Sequence, residues 1–271
     1  MDKSSLEKIF KTRKPIIGMV HTKPLPGAPL YKENEFNLLE LLENDLNALQ
    51  DGGIDAVMFS NEDDRPYQTT VDPVTIATMS YLIGRLAPKI KVPFGVDIIF
   101  DPIASLAVAK ATGASFVREI FTGVYGGDLG LWSNSCDKIY RYRKLINADN
   151  IVCIFNINAE FAYPLDNRPL EKIAKSVVFS SLADIIAISG NITGEEVSVD
   201  SLKKVKDSIP DTMVFANTGV NINNVENILK VCDGAIVGTS LKKDSITWNN
   251  IEKERVVSFM QKVKMIRSKQ S

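Results

Sequence analysis

The sequence predicts an α/β protein in which the whole chain forms a single (β/α)8 TIM barrel. Eight short apolar runs alternate with amphipathic helical stretches along 271 residues, and such barrels commonly need about 250. Several runs are apolar without strict alternation, which is typical of strands buried on both faces. The segments after the runs are long and rich in Asn, Asp, Gly and Pro, as are the βα loops that build active sites in barrels.

The eight predicted strands are spread along the chain, with a predicted helix between each neighbouring pair. They cover residues 15–21, 54–59, 93–100, 115–120, 151–157, 184–188, 212–216 and 234–237. The first of the intervening helices covers residues 36–50, where leucines recur at helical spacing, and a closing helix covers about 252–266. An open doubly wound sheet is the competing architecture. The count of eight and the lack of a G-x-G-x-x-G motif after the first strand favour the closed barrel.

Composition and charge limit the classes of partner. Hydrophobic residues make up 45% of the chain and charged residues 24%, as in ordinary soluble proteins. The 32 basic and 33 acidic residues leave a net charge of -1. Nucleic acids bind to concentrated basic surfaces, so we expect no nucleic-acid partner. No apolar stretch reaches the roughly 18 residues of a membrane-spanning helix, so we expect no transmembrane segment.

The N-terminus and the cysteines predict a cytoplasmic location. Residues 1–12 read as a polar N-terminal extension of the barrel domain, without the apolar region of a secretory signal. The three cysteines, Cys136, Cys153 and Cys232, are widely spaced and fit neither a disulfide framework nor a zinc motif. A reducing compartment follows from this pattern.

Two loops after the last two predicted strands are the most specific functional feature. Barrels that bind phosphorylated ligands often have glycine-containing loops at these positions, where backbone N–H groups and a short helix meet the phosphate. Tight turns that only cap helices are the plainer interpretation. A third loop, after the sixth strand, either extends the anion site or simply leads into the next helix. The predicted phosphate-binding residues are Gly190, Thr218, Gly219, Gly238, Thr239 and Ser240.

Three side chains are the predicted catalytic residues. His21 is the single histidine and ends the first strand, and imidazole titrates near neutral pH. Asp97 and Glu119 lie within or at the end of apolar strands, where an unpaired charge is costly. They could assist His21 or hold a divalent cation such as Mg²⁺, although the sequence identifies no metal. Arg118 alternates with Glu119 along the strand, so one of the two points inward.

The sequence also contains further acidic residues and lacks the residues or motifs of several enzyme classes. Strands two to seven end without a lysine, so a Schiff-base enzyme has no obvious nucleophile; Lys23 and Lys242 are weak loop candidates. One histidine cannot build a histidine-rich zinc site, and the chain contains no nucleophile elbow or Walker loop. Further acidic residues of the predicted mouth are Glu62, Asp63, Asp64, Asp101, Asp128 and Glu160.

Two motifs at opposite ends of the chain resemble the BtpA/SgcQ family. They are Gly18-Met19-Val20-His21 with the following Pro24-Leu25-Pro26-Gly27-Ala28-Pro29, and the stretch from Asp233 to Lys242. The resemblance runs over nearly the whole chain and implies a phosphate-binding barrel. The first member of that family was linked to photosystem I accumulation, and many bacterial relatives lie beside sugar phosphotransferase genes. Charged residues that are usual in the family are replaced in this chain at Ser60, Phe100, Asn156, Glu160 and Phe161.

Two functions are consistent with these features. The first is an enzyme, an isomerase, epimerase or lyase, that transfers protons on a phosphorylated small molecule such as a sugar phosphate or nucleotide-like compound. The second is a non-catalytic, BtpA-like assembly or ligand-binding protein, which would present an apolar patch on the barrel exterior. The sequence leaves open the substrate, the metal requirement and whether the chain forms a homo-oligomer.

Overall fold

The computed structural model describes residues 3–33, 37–190, 192 and 194–269, and these form the predicted barrel. Eight parallel strands close in the order β1-β11-β10-β9-β7-β4-β3-β2, and three further strands form a separate antiparallel sheet. In chain order the strands are β1 (Ile16–His21), β2 (Ala56–Ser60), β3 (Phe94–Asp97), β4 (Phe116–Glu119), β5 (Gly123–Gly127), β6 (Gly130–Asn134), β7 (Val152–Asn156), β8 (Ala162–Pro164), β9 (Ile185–Ile188), β10 (Met213–Ala216) and β11 (Gly234–Val237).

Helices alternate with the barrel strands and pack around them. They are α1 (Lys3–Phe10), α2 (Leu38–Asp51), α3 (Pro73–Leu86), α4 (Pro102–Thr112), α5 (Cys136–Leu145), α6 (Leu170–Ser180), α7 (Val199–Ser208), α8 (Val225–Val231) and α9 (Lys253–Ser268). None of the helices among the described residues is both long and apolar enough to cross a membrane.

The third strand is shorter than the sequence predicts. The apolar run 93–100 continues past Asp97, but the strand stops there because Phe100 takes a left-handed backbone conformation with φ of 65°. The next turn is fixed by Asp101, whose side chain accepts the N–H of Ala104 at 2.9 Å and caps α4. The predicted helix 36–50 is observed as Leu38–Asp51, and Phe36 lies outside the described residues.

The lower part of the barrel interior is apolar. Alternate residues of each strand point inward, so every second position contributes to this interior. Gly95 makes room for the ring of Phe116 on the neighbouring strand, because a Cβ at Gly95 would lie 2.2 Å from that ring. The inward set includes Ile17, Met19, Ala56, Met58, Phe116, Val152, Ile154, Ile185, Ala187, Met213, Phe215 and Ile236.

Helix α1 closes this interior from below. The sequence treats residues 1–12 as a polar extension, but Leu6 and Phe10 are buried within the interior cluster. The ring of Phe10 lies 5.4 Å from that of Phe116 and 5.9 Å from that of Phe215. With Ile9 packed against the same cluster, the apolar side of this short amphipathic helix makes the extension part of the barrel core.

Replacing Phe10 by alanine is expected to lower the free energy of unfolding by about 3–5 kcal/mol, because it leaves a cavity under the barrel. Phe179→Ala is the matched control, since its ring is 88% exposed on α6, and it should change stability by less than about 0.5 kcal/mol. Urea denaturation of the three proteins measures both effects. Equal values for the two variants would show that α1 is not part of the core.

The separate sheet, in the order β6-β5-β8, packs on the C-terminal ends of β3 and β4. Tyr125 and Trp132 on its inner face are buried against Ile99, Phe100 and Ile120, which follow those two strands. The opposite face exposes Leu131, Tyr163 and Leu165, and Asp128 lies exposed at the hairpin tip. The sequence does not predict this sheet. With one side of the mouth covered, the other side, next to β1, β10 and β11, holds the cleft described below.

Candidate ligand site at the barrel mouth

The uppermost inward positions of the barrel are polar. They continue the alternation of the apolar interior, so these side chains lie directly above it at the C-terminal ends of the strands. Two of the positions lie one residue beyond β9 and β10. The members of this polar layer are His21, Ser60, Asp97, Arg118, Asn156, Ser189 and Asn217.

One half of the polar layer is built on the ion pair between Arg118 and Asp97. Asp97 also accepts a hydrogen bond from the hydroxyl of Ser60 at 3.3 Å. Arg118 Nη1 lies 3.7 Å from Oε1 of Glu160, which comes from the loop after β7. Burial by itself lowers the pKa of Arg118, but the carboxylates of Asp97 and Glu160 outweigh burial and raise it. The guanidinium therefore stays charged and is held between two carboxylates.

Ser189 organises the other half of the layer. Its hydroxyl accepts hydrogen bonds from the side-chain amides of Asn156 at 2.9 Å and Asn217 at 2.7 Å. The same hydroxyl lies 3.2 Å from Oε1 of Glu160 and can donate to it. Glu160 thus joins the two halves, and the network fixes the side chains that border the cleft.

A cleft of about 760 Å³ opens above this layer and extends outward past β10 and β11. Its inner wall contains His21, Glu62, Arg118 and Glu160. Five of the predicted phosphate-binding residues also line it: Thr218, Gly219, Gly238, Thr239 and Ser240. The structure therefore brings the predicted acid/base residue His21 and both glycine loops into one cavity.

Three other predicted residues lie apart from this cleft. Gly190 is not among its lining residues, and its N–H donates to Oγ1 of Thr218 at 2.6 Å. Asp97 reaches the cleft only through Arg118. Glu119 points away from the barrel axis and accepts a hydrogen bond at 2.8 Å from Ser105 of α4. Asp97 and Glu119 instead line a small adjoining cavity of about 30 Å³.

The two glycine loops are held against each other and against the preceding loop. Gly219 has φ of 63°, and a Cβ there would lie 2.4 Å from the backbone of Glu195, so only glycine fits. The hydroxyl of Ser240 donates to the carbonyl of Val220 at 2.7 Å and joins the loop after β11 to the loop after β10. Thr239 and Ser240 open a short 3-10 turn, Thr239–Leu241, so their N–H groups have no acceptor within that turn.

His21 and Glu62 lie next to each other in the inner wall. Nε2 of His21 lies 3.9 Å from Oε2 of Glu62. Burial lowers the pKa of His21 well below 6.5, and the cations Lys242 and Arg118 lower it further. Burial also raises the pKa of Glu62 to about 8, with Glu160 adding to the effect. Near pH 7 the imidazole is therefore neutral, and the carboxyl group next to it carries a proton.

The two acidic residues predicted as possible cation ligands, Asp97 and Glu119, have other partners. Asp97 is engaged with Arg118 and Ser60, and Glu119 faces Ser105. Burial and the nearby Asp97 raise the pKa of Glu119 well above 4.5, which disfavours the charged form that binds a cation. Among the described residues, no three His, Cys, Asp or Glu side chains come together as a metal site requires.

Glu62 and Glu160 are expected at the mouth from the sequence but are not among the predicted catalytic residues, and Arg118 is left there as an alternative to Glu119. Glu62 is one of three consecutive acids, and nothing in that run distinguishes it. Glu160 lies in the loop after β7, and the sequence does not predict the path of that loop. Arg118 has a usable signal, because it stands two residues after Phe116, and residues two apart on a strand share a face. Knowing that Phe116 points inward assigns Arg118 to the mouth and turns Glu119 outward.

Comparisons with known proteins agree with this architecture. The BtpA family model matches residues 12–265. The putative sgc region protein SgcQ of Escherichia coli K12 is 43% identical over 267 residues, covering 97% of this chain and 99% of that protein. The photosystem I biogenesis protein BtpA of Synechocystis is 29% identical, covering 94% of this chain and 90% of that protein.

Solved structures share the fold at low sequence identity. The native KDPGal structure has a TM-score of 0.60 at 14% identity and covers 95% of this chain and 98% of its own. Phosphoribosyl anthranilate isomerase from Thermus thermophilus has a TM-score of 0.55 at 11% identity, with coverage of 93% and 100%. These structures support the barrel fold alone. The family model and the curated relatives span nearly the whole chain, and the protein therefore belongs to the BtpA family.

Proposed function

We propose that the protein binds a phosphorylated small molecule in this cleft and catalyses a proton-transfer isomerisation, an epimerisation or a lyase step on it. The observation that carries the proposal is the content of a single cavity. It combines two glycine loops of the kind that hold phosphate with a neutral imidazole, a protonated carboxyl and a fixed guanidinium.

The phosphate would lie against the loops after β10 and β11. Gly219 and Gly238 let the backbone approach an anion closely, and Thr239 and Ser240 add the first N–H groups of a turn. The hydroxyl of Thr239 is a further possible donor, whereas that of Ser240 already donates to Val220. Gly190 would act indirectly by holding the side chain of Thr218. A barrel of the same fold, phosphoribosyl anthranilate isomerase, is named for a phosphorylated substrate and an isomerisation. Both the kind of substrate and the kind of reaction in that name agree with the proposal.

The chemistry would occur at the inner end of the cleft. Neutral His21 can accept a proton from a substrate carbon or hydroxyl, and protonated Glu62 can donate one to a carbonyl oxygen. Arg118 lines the same wall and can stabilise negative charge that develops between them. Asp97 is a positioning residue, because it acts through Arg118. Glu119 has no contact with this cleft and takes no part in the step.

Substitution of Gly238 tests where the phosphate binds. A Cβ at Gly238 would meet Met19 and His21 at ordinary contact distances of 3.4–3.5 Å, so Gly238→Val should fold while filling the cleft. We expect it to weaken binding of inorganic phosphate at least about tenfold in calorimetry, a loss of about 1.4 kcal/mol. Gly84→Ala on α3 is the control, since nothing lies within 4 Å of its Cβ position. Unchanged phosphate affinity in Gly238→Val would contradict the placement.

Turnover needs a separate test. The protein is screened by thermal shift against a library of phosphorylated metabolites, and each compound that stabilises it is then incubated with the protein and analysed by mass spectrometry. The proposed enzyme converts at least one stabilising compound to an isomer or a cleavage product. For isomers of equal mass, exchange of substrate hydrogen with ²H₂O gives the readout.

A second candidate function is a non-catalytic, BtpA-like assembly or ligand-binding protein. The exposed face of the β6-β5-β8 sheet favours it, because Leu131 and Tyr163 are 73% and 77% exposed on the two outer strands, where both pair with Gly126 of β5. The same screen separates the two functions. Stabilisation without any product would favour this second candidate.

A further inference from the structure

The cleft continues outward beyond the two glycine loops. In a (β/α)8 barrel the strand ends lie innermost, the loops come next and the helices form the outer ring. The lining residues of the cleft occupy all three zones in this order: His21 and Arg118 at the strand ends, Gly219 and Gly238 in the loops, and Arg255 on α9. The two glycine loops therefore lie midway along the cavity. An inner arm extends from them towards the strand ends, and an outer arm extends towards α9.

The outer arm runs between the loop after β10 and one face of α9. Arg255, Phe259 and Lys262 share this face, since they are separated by four and three residues. Lys262 Nζ donates to the carbonyl of Ile222 at 2.6 Å, which holds the loop beside the helix. Ile222 in this loop is 40% exposed, and Phe259 forms a buried apolar floor.

The guanidinium of Arg255 is fixed in this arm. Its Nε donates to Oε2 of Glu252 at 2.5 Å, and its Nη1 donates to Oγ of Ser245 at 2.9 Å. A guanidinium whose edge is hydrogen-bonded still presents a flat face, on which heteroaromatic rings stack. Polar groups at the rim of the arm, from Asn223, Glu254 and Ser258, can bond the edge of such a ring.

The chemistry of the outer arm disfavours the other groups that a phosphorylated compound could carry. A second phosphate would meet Glu252 and Glu254, and the charge of Arg255 is already matched by Glu252. A sugar would place hydroxyl groups against Ile222 and Phe259, which cannot bond them. A flat ring with polar edges satisfies both the apolar surfaces and the rim.

We propose that the ligand is a nucleotide whose phosphate is internal, with its base in the outer arm and the reacting group attached through the phosphate in the inner arm. This inference rests on the proposed function, because it takes the phosphate to lie against the loops after β10 and β11. It narrows the substrate class from phosphorylated small molecules to nucleotide-linked compounds.

The test compares ribose 5-phosphate with the 5'-monophosphates of adenosine, guanosine, cytidine and uridine by titration calorimetry. These probes differ only in the base. We expect at least one nucleotide to bind about tenfold or more tightly than ribose 5-phosphate. Arg255→Lys, which keeps the charge but loses the flat face, and Ile222→Ser should each remove most of this gain without changing the affinity for ribose 5-phosphate. Arg141→Lys, at an exposed site on α5, is the matched control.

Each outcome of this comparison supports or overturns the proposed base site. Equal affinity for ribose 5-phosphate and all four nucleotides overturns the base site and leaves the phosphate site standing. A nucleotide gain that survives in both Arg255→Lys and Ile222→Ser also overturns it, because the base then lies elsewhere. If neither inorganic phosphate nor any probe binds, the proposed function fails and this inference fails with it.

Discussion

Replacing Arg118 by methionine is expected to lower the free energy of unfolding by about 3–5 kcal/mol, because it leaves the buried carboxylate of Asp97 without its cation. Glu160 also loses a cationic neighbour, at 3.7 Å. The side chain of methionine fills much of the same volume, so the loss measures the charge rather than a cavity. Chemical denaturation of the variant and the parent protein gives the value.

Two further variants identify the cause of this loss. In Arg118→Met/Asp97→Asn the unpaired charge is removed, and we expect the double variant to be more stable than Arg118→Met alone. Arg141→Met removes an arginine whose side chain is 79% exposed and should change stability by less than about 1 kcal/mol. If the double variant is less stable than Arg118→Met, the pairing with Asp97 does not explain the effect.

Glu62→Gln is expected to slow turnover by about 10²–10⁴-fold, because the amide cannot donate the proton that the carboxyl supplies. The shape of the pH profile follows from the two pKa shifts. Glu62 must be protonated, so the rate should fall as the pH rises through about 8. His21 must be neutral, so the rate should also fall as the pH drops through the lowered pKa of the imidazole, well below 6.5. Between these limits the rate should be flat.

The measurement is kcat against pH for the parent protein, Glu62→Gln and a control. Glu226→Gln on α8 is a suitable control, since that carboxylate pairs with Lys230 at the surface and lies outside the cleft. The alkaline limb should disappear in Glu62→Gln and stay in the control. An alkaline limb near pH 8 that survives in Glu62→Gln would assign it to another group.

The barrel could be predicted from the sequence because its signals are local. Each strand is a short apolar run, and the order of strands and helices in the chain determines a parallel sheet. The β6-β5-β8 sheet could not be predicted in the same way. Its strands are rich in glycine and polar residues, and they are stable only because Tyr125 and Trp132 pack on Phe100 and Ile120. Helix α1 was missed for a similar reason, since its burial depends on the open lower end of the barrel.

The lining of the cleft was predicted where loops form it and missed where the orientation of a strand residue decides it. The glycine loops occur at fixed places in the strand order, so their residues could be named in advance. The orientation of residues within a strand could not be predicted. Both faces of these strands are buried, so the apolar pattern does not show which alternate residues point into the barrel. That is why Glu119 was expected at the mouth and Arg118, its neighbour, is found there. Glu62 owes its raised pKa to burial by distant segments, which no local pattern shows.

A crystal structure of the protein soaked with inorganic phosphate tests the central claim most directly. We expect a phosphate between the loops after β10 and β11, within hydrogen-bond distance of the backbone N–H groups of Gly219, Thr239 or Ser240 or of the hydroxyl of Thr239. The ion should also lie in the cavity that His21 and Glu62 line. Phosphate bound only elsewhere on the molecule would contradict the placement of the ligand, and with it the roles assigned to both side chains.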